Sequence, residues 1–459
     1  MSKMVIRLIT LIIAVAMVAC LAVGCGGNSD NPGSNPGSSK PSGNNGGNGT
    51  GMLASVNPED YRGTKVVYAS WKNPYQNEDG VAVDAFKAKY GMEFEWQQVD
   101  QGKYVSLIAT SISNGTQADV FFENGDFPGS LTVMQPLDAA MLDLEDPIWN
   151  KALIKASTLE GHPYLVDAIS NVWTEVDICV YNKNIFESNG FTTPTEYYEA
   201  GKWTFANFRN AAKQVADLGK EYSGAGMLGE SALGAAGSSF FTYKDNAMHV
   251  SVDDHLREVM VFLAEMKDDK IAKLDREGFN EGKQGMALTN CFGLKRTGYY
   301  TTINPEHVAA TYLPVWKEGD TQKVTGIYRG WGLIEGAKNP VGAGLFLRQY
   351  LDVNNYDLDA TFHNTDVANF FFQVTGQYSE DMIYYHGPDM VKTTGMGEYY
   401  HQAGWQDNSA ANVNGYIDKH LNTMNEMVRK ANEIIAEESA EIIQGEKDGI
   451  LNKLSGKVS

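Results

Sequence analysis

The chain has 459 residues, of which 43% are hydrophobic and 11% aromatic, and its formal net charge at pH 7 is −20. This hydrophobic content supports large buried cores and excludes a disordered chain, and the length suits about two or three domains. An acidic surface repels phosphate backbones, which disfavours nucleic acid as a partner, although acidity alone names no ligand.

The N-terminus has the pattern of an export signal. Lys3 and Arg7 form a short positive region, and the uncharged apolar run LITLIIAVAMVACLAV follows. This run is near the lower length limit of about 17–25 residues for a membrane span, so a retained transmembrane anchor is the alternative. The run gives way to polar sequence at Cys25, directly after the small residues Val23 and Gly24.

The stretch AVGC, which ends at Cys25, resembles the lipoprotein box of bacterial exported proteins, with Ala22 where leucine is usual. In such proteins a peptidase cuts before a cysteine that carries diacylglycerol, which implies a signal peptide at residues 1–24 and lipidation of Cys25. The competing match MVAC, at Cys20, lies inside the apolar run. Residues 25–58 are then the lipidated cysteine and a flexible tether rich in Gly, Ser, Asn and Pro.

Strands and helices alternate where the folded part begins. The predicted elements are TKVVYASW (strand, 64–71), VAVDAFKAKYG (helix, 81–91), MEFEWQQV (strand, 92–99), YVSLIATSISNG (helix, 104–115) and ADVFFE (strand, 118–123). The spacing of the second helix predicts a buried face that includes Tyr104, Leu107 and Ile108. The order of these elements predicts a parallel sheet, which binds ligands at the carboxyl ends of its strands, here at 71–75 and 123–127.

A second region contains longer helices and returning strands. The predicted elements are SNVWTEVDICVYNK (strand, 170–183), KWTFANFRNAAKQVADLG (helix, 202–219), DDHLREVMVFLAEMKDDK (helix, 253–270), HVAATYLPVW (strand, 307–316), GIYRGWGLIEGA (strand, 326–337), NPVGAGLFLRQYL (helix, 339–351) and GYIDKHLNTMNEMVRKANEIIAE (helix, 415–437). Thr204 is the expected N-cap of its helix, and Trp203 beside it is expected to be structural. No linker interrupts this part, which favours two lobes that share crossing segments.

The sequence lacks the common motifs of catalysis and phosphate binding. The sequence has no nucleophile elbow, no H-E-x-x-H, no paired C-x-x-C and no P-loop. We therefore predict no catalytic residue, no cofactor and no metal ion, although a pair of carboxylates of glycosidase type stays open among the many acids. Cys179 and Cys291 lie among apolar or small neighbours, which favours buried free thiols over a disulfide between them.

Eight segments, in order, resemble the family-1 extracellular solute-binding proteins of the carbohydrate type, the receptor subunits of ABC importers, which include maltose-binding protein. They are VVYASW, SISNGTQADVFFENGDF, MQPLDAAM, LEGHPYLVDA, VYNKNIFESNGF, KWTFANFRNAAK, FNEGKQGMALTN and GWGLIEGAKNPVGAGLFLRQYL. The resemblance implies a two-lobed α/β fold of the type II periplasmic-binding-protein class, with a sheet flanked by helices in each lobe and the ligand cleft between lobes. It implies a first lobe at residues 59–171 plus 309–352 and a second lobe at residues 172–308 plus 353–459.

The resemblance also implies which residues line the cleft. A sugar ring needs aromatic faces for its C–H surface, and carboxylates, amides or arginine for its hydroxyls. The positions that correspond to the family's cleft, or that could face it, are Trp71, Glu123, Asp126, Phe127, Trp173, Glu175, Phe292, Arg329, Trp331 and Trp405. Phe292 stands where maltose-binding protein has a stacking tryptophan. For the aromatic residues the alternative is an ordinary core position, and for the acids it is a solvated surface charge.

The resemblance implies a non-enzymatic, monomeric receptor that is lipid-anchored on the outer face of the bacterial cytoplasmic membrane. It would bind a carbohydrate, expected to be an oligosaccharide, and deliver it to the permease subunits of an ABC importer. Two alternatives stay open at this point: a surface glycoside hydrolase, and a binding protein that signals to a membrane sensor kinase.

Overall fold

The computed structural model describes residues 56–123, 130–169, 176–226, 229–273, 277–290, 302–326, 328–353, 366–367, 369–370, 383–384 and 409–447. The predicted signal peptide, Cys25 and most of the tether lie outside these residues. No helix within them is both long and apolar enough to span a membrane.

The strands and helices alternate along most of the chain. The strands are β1 (Lys65–Ser70), β2 (Glu93–Gln98), β3 (Val120–Glu123), β4 (Met134–Gln135), β5 (Thr158–Leu159), β6 (His162–Pro163), β7 (Asp177–Asn182), β8 (Ser223–Gly226), β9 (Phe241–Lys244), β10 (Ala247–Val250), β11 (Ala272–Lys273), β12 (Gln284–Asn290), β13 (Val308–Thr311), β14 (Thr325–Gly326), β15 (Gly330–Ile334) and β16 (Ile383–Tyr384). The helices are α1 (Asn77–Tyr90), α2 (Tyr104–Asn114), α3 (Lys151–Ala156), α4 (Lys183–Asn189), α5 (Pro194–Glu199), α6 (Phe205–Ala216), α7 (Gly229–Ala236), α8 (Asp254–Asp268), α9 (Glu277–Asn280), α10 (Pro340–Val353) and α11 (Val413–Lys447).

The first sheet has the strand order β2-β1-β3-β15-β4. β1 is parallel to β2 and to β3, which confirms the parallel arrangement predicted for the opening strands. β15 comes back from much later in the chain and pairs antiparallel with β3 and β4, so the whole sheet is mixed. α1 and α10 cover one face of this sheet, where Phe86, Phe94 and Phe346 form one aromatic cluster.

The helix boundaries follow local capping chemistry. α1 ends at Gly91, which adopts the left-handed conformation at φ 61° as expected of a terminating glycine. α2 departs from prediction at one position, because Leu107 is exposed whereas Tyr104 and Ile108 are buried as expected. Ala109 is buried as well, so the buried face is rotated away from Leu107, which lies at its border.

The second sheet has the strand order β11-β8-β12-β7-β13. β7 pairs antiparallel with β12 and β13, whereas β8 is parallel to β12 and to β11. The sequence assigned residues 309–352 to the first lobe, but β13 pairs with β7 in the second sheet, so the return to the first sheet is made later, by β15. The apolar pattern of β13 suits either sheet, so the sequence alone does not decide which sheet this strand joins.

The core of the second lobe agrees with the sequence analysis. Thr204 caps α6 by accepting a hydrogen bond from the backbone N–H of Asn207 at 3.3 Å. Trp203 is buried, and its indole N–H donates to the carbonyl of Tyr312 at 2.7 Å, so its role is structural as predicted. Cys179 is a buried free thiol, whereas Cys291 lies outside the described residues.

α11 packs against both lobes. Its buried side chains, among them Ile417, Met424 and Ile435, belong to one apolar cluster that also contains residues of both sheets. Contacts reach β10 and α8 on the second lobe, and residues 130–133 beside the first sheet. The helix therefore contacts both lobes.

Candidate functional site

The carboxyl ends of β1 and β3 lie side by side at one edge of the first sheet. Tyr68 pairs with Val120 and Ala69 with Phe121, so continuing that register by two residues places Trp71 beside Glu123. β15 runs in the opposite direction, and its first residue, Gly330, pairs with Glu123. The structure thus brings together Trp71, Glu123 and Arg329, which lie far apart in the sequence.

Aromatic rings surround this edge. Trp71 is half-buried and meets Tyr104 edge-to-face, with ring centroids 4.8 Å apart. Phe122 lies 6.2 Å from Trp71 and 4.5 Å from Trp331, centroid to centroid, so the four rings form a continuous band. Trp331 packs mainly on Phe122 and on Tyr350 of α10, at 6.3 Å, which sets it back from the edge itself.

Tyr104 holds the end of β3 in place. Its hydroxyl donates to the carbonyl of Phe122 at 3.0 Å and accepts from the backbone N–H of Phe122 at 3.1 Å. Burial raises the pKa of Tyr104 well above its usual value, and the negative charge of Glu123 adds to the rise. Tyr104 is therefore a neutral hydrogen-bonding group at neutral pH.

Glu123 is fully buried, which rules out the alternative of a solvated surface charge. Removing a carboxylate from water costs free energy unless polar groups replace the water. A buried acid at a strand end is therefore a candidate functional residue. Arg329 is half-buried next to it in the register, and its Nε is a buried donor without a hydrogen-bond partner. An unpartnered donor beside a buried acid suits a ligand that carries hydroxyl groups.

The second sheet offers a matching edge. Asp177, the first residue of β7, pairs with Asn290, the last residue of β12. Asp177 is buried, and its Oδ2 accepts a hydrogen bond from the hydroxyl of Thr325 at 3.0 Å. The segment that enters β7 carries Trp173 and Glu175, and the segment that leaves β12 carries Phe292, so these segments begin at adjacent points.

A short segment of chain connects the two edges. Gly326 forms a bridge with Val176 at the second sheet, and Gly330 pairs with Glu123 at the first sheet. Three residues separate Gly326 from Gly330, so the two glycines are four residue steps, or at most about 14 Å, apart. The chain therefore passes from the edge that holds Asp177 to the edge that holds Glu123 within this distance.

Six of the predicted site residues lie outside the described residues: Asp126, Phe127, Trp173, Glu175, Phe292 and Trp405. Their segments, apart from that of Trp405, adjoin these two edges. Sequence reasoning missed Tyr104, Phe122, Asp177 and Thr325. The signal for Asp177 was present, because an acid that opens an otherwise apolar strand must be paired or functional.

Within the described residues, no group of three or more His, Cys, Asp and Glu side chains is placed to hold a metal ion. The described side chains at the two edges therefore offer aromatic faces, hydrogen-bond acceptors and an arginine. Such a set recognises a neutral polar solute by stacking and hydrogen bonding.

No protein-family model and no curated protein sequence matches this chain. Solved structures do match it. The galacto-N-biose-/lacto-N-biose I-binding protein of an ABC transporter from Bifidobacterium longum, in complex with lacto-N-biose, matches with a TM-score of 0.61 and 14% identity, over 80% of this chain and 98% of that one. The sugar-binding protein MalE from Xanthomonas citri matches with a TM-score of 0.58 and 14% identity, over 83% and 100%.

A third structure, maltose-bound MalE3 from T. maritima, matches with a TM-score of 0.55 and 15% identity, over 79% of this chain and 100% of that one. Identities this low establish the fold and not the ligand. The resemblance read from the sequence is thus confirmed at the level of architecture: the chain has the two-lobed α/β fold of the sugar-binding proteins of ABC transporters.

Proposed function

We propose that this protein is a carbohydrate receptor that captures its ligand between these edges of its two sheets. The observation that carries the proposal is the meeting of Trp71, Glu123 and Arg329 at one edge, which the crossing from Gly326 to Gly330, at most about 14 Å long, connects to the edge that holds Asp177. The similar structures named above bind lacto-N-biose and maltose, which supports a sugar as the ligand class here.

The roles follow from the chemistry of a sugar ring. Trp71 offers an aromatic face to the C–H surface, and Trp331 supports it through Phe122. Glu123 accepts hydrogen bonds from hydroxyl groups of the sugar, and Arg329 donates hydrogen bonds to them. We include in the site the residues whose segments adjoin these edges, namely Asp126, Phe127, Trp173, Glu175 and Phe292, together with Trp405.

We propose that the first lobe consists of residues 59–171 together with β15 and α10. The ligand is captured when the two lobes close around it. A ligand that contacts both edges binds the closed form more tightly than the open form, and only such a difference shifts the equilibrium. The closed monomer then docks on the permease subunits of an ABC importer. No covalent step is part of this function.

Calorimetry tests the proposal. The full-length protein in detergent is titrated with a glycan panel that includes maltose and lacto-N-biose, and we expect saturable one-to-one binding of at least one glycan. Incubation of the same glycans with the protein provides the control, because a receptor leaves them intact. Absence of binding to every small solute, combined with hydrolysis of a glycoside, would show a surface glycosidase instead.

We further propose that Cys25 carries the lipid that anchors the receptor to the outer face of the membrane. Stable anchoring takes two acyl chains, which diacylglycerol supplies. Cys25→Ser should abolish incorporation of a palmitate probe, whereas Cys20→Ser, at the competing match, should leave it intact. The reverse pattern would move the attachment point to Cys20, and labelling of the Cys25 variant at the wild-type level would refute lipidation of Cys25.

A further inference from the structure

The backbone on either side of Trp71 is fixed by hydrogen bonds. The carbonyl of Ser70, the last residue of β1, accepts from the indole N–H of Trp96 at 2.9 Å and from the backbone N–H of Val99 at 3.2 Å. The hydroxyl oxygen of Ser70 accepts from the backbone N–H of Lys72 at 3.0 Å. These contacts fix the point at which the side chain of Trp71 begins, so the direction of its ring depends on the side chains that pack against it.

Tyr104, the first residue of α2, packs against that ring. The ring centroids of Tyr104 and Trp71 are 4.8 Å apart and the ring planes lie at 82°, which is the edge-to-face arrangement that aromatic pairs favour. Tyr104 is buried, with 2% of its surface exposed, whereas Trp71 keeps a larger part of its surface exposed. Tyr104 therefore supports Trp71 from the core side and leaves the exposed part of the indole for a ligand.

Hydrogen bonds fix the ring of Tyr104 in turn. Its hydroxyl exchanges two hydrogen bonds with the backbone of Phe122, donating at 3.0 Å and accepting at 3.1 Å, and lies 3.4 Å from the carbonyl oxygen of Ala69. Phe122 is in β3 and Ala69 is in β1, so the hydroxyl lies at the junction of the two strands that end at the candidate site. A ring that is anchored to the sheet in this way restricts the orientations open to Trp71.

We propose that Tyr104 is a positioning residue, which holds Trp71 in the orientation that stacks on the ligand; this inference rests on the proposed function. Tyr104 acts through Trp71, because it is buried and packs on the indole. A free indole loses side-chain entropy when a sugar orders it, whereas an indole that is already held loses less. Tyr104 therefore raises the affinity for the ligand without contacting the ligand itself.

Tyr104→Leu tests this role directly, because leucine keeps an apolar side chain in the core and removes the aromatic ring beside Trp71. Tyr104→Phe keeps the ring but removes the hydroxyl that anchors it. Tyr181 provides the matched control, because its side chain is also buried and its hydroxyl lies 2.8 Å from Oγ1 of Thr195. It stands four residues after Asp177 on β7, toward the end of that strand away from the candidate site.

The first measurement is a double-mutant cycle on the full-length protein in detergent, by calorimetry with the glycan panel, after thermal melts show that each variant folds. Tyr104→Leu should weaken binding about two- to tenfold in a chain that contains Trp71, since the indole is no longer held. In the Trp71→Ala background it should weaken binding no further, because no indole is left to position. Tyr181→Leu should bind as the wild type does.

The second measurement needs no ligand. Near-ultraviolet circular dichroism reports aromatic rings that are held in fixed packing. The contribution of Trp71 is the difference between each chain and its Trp71→Phe counterpart. We expect this contribution to be retained in Tyr181→Leu and largely lost in Tyr104→Leu. If Tyr104→Leu does not fold, Tyr104→Phe takes its place in both measurements, with a smaller loss expected in each.

Unchanged binding in Tyr104→Leu, or equal weakening with and without Trp71, overturns the positioning role while leaving the receptor intact. If no glycan binds the wild type, the proposed function fails instead, and the dichroism alone decides whether Tyr104 holds Trp71. Loss of the Trp71 contribution in Tyr104→Leu then supports the held indole, and an unchanged contribution overturns it.

Discussion

At the scale of single residues, buried acids fix the first lobe at both ends of β3. Asp119 precedes the strand and is buried, and its carboxylate accepts from the backbone N–H groups of Val67 at 2.9 Å and of Lys338 and Asn339 at 2.8 Å each. It therefore ties β1 to the turn that starts α10. Glu123 ends the same strand at the candidate site, so one short strand carries a structural acid and a proposed ligand-binding acid.

Replacing Asp119 with asparagine should destabilise the fold. Asparagine supplies one acceptor oxygen and turns its NH₂ group toward backbone donors, so we expect a loss of about 1–3 kcal/mol in the free energy of unfolding, measured with urea. Asp217→Asn is the control, because Asp217 only pairs with Lys213 in solvent and should change stability by less than about 0.5 kcal/mol. Equal stability of Asp119→Asn and the wild type would contradict the role of Asp119.

Two tryptophans provide a test that separates binding from folding. Trp71→Ala should weaken binding of the panel sugar by about tenfold or more, since it removes an aromatic face at the site edge. Trp203→Phe removes the buried hydrogen bond to Tyr312, so it should cost about 1–2 kcal/mol of stability and leave the affinity unchanged. Calorimetry and urea unfolding of both variants decide the matter, and an equal loss of affinity in both would undo the assignment of Trp71.

At the scale of elements, sequence patterns predicted what depends on local chemistry. The strands and helices from β1 to β3, the stop of α1 at Gly91 and the cap of α6 at Thr204 all follow from periodicity and capping. Local patterns do not predict the sheet to which β13 belongs. The short apolar pattern of this strand fits either sheet, and its partner strand β7 is more than 100 residues away in the sequence. The contact between Glu160, in the β5–β6 hairpin, and Asn246, in the β9–β10 hairpin, is likewise a tertiary contact, which the sequence of neither hairpin predicts.

Tyr243, on β9 beside that contact, should titrate late. Burial raises its pKa to about 12, and the negative charge of Glu160 adds to the rise. Because an unfolded tyrosine titrates near pH 10, Tyr243 favours the folded state fully below about pH 10, and this contribution is lost as the pH rises through about 12. The absorbance difference at about 295 nm between the wild type and Tyr243→Phe should show this transition.

The variant Glu160→Gln provides a second test of the alkaline titration of Tyr243. It removes the nearby charge but not the burial, so the midpoint of Tyr243 should fall yet stay above that of an exposed tyrosine. A midpoint in the wild type equal to that of an exposed tyrosine would show that Tyr243 is neither buried nor near Glu160.

At the scale of the whole molecule, the arrangement of the two sheets creates the candidate site. The short crossing from Gly326 to Gly330 connects the edges of the two sheets, and α11 contacts both lobes. The sequence predicted the edge residues Trp71 and Glu123 from the rule that ligands bind at strand ends. The sequence carried a signal for Asp177, an acid that opens an apolar strand, but not for its partner Thr325, which lies 148 residues further along the chain.

A crystal structure of the protein with the glycan selected by calorimetry tests the central claim most directly. The account predicts a sugar between the two edges, within hydrogen-bond distance of Glu123 or Arg329 on one side and of the segments beside Asp177 and Asn290 on the other. A sugar bound anywhere else on the molecule would contradict the account.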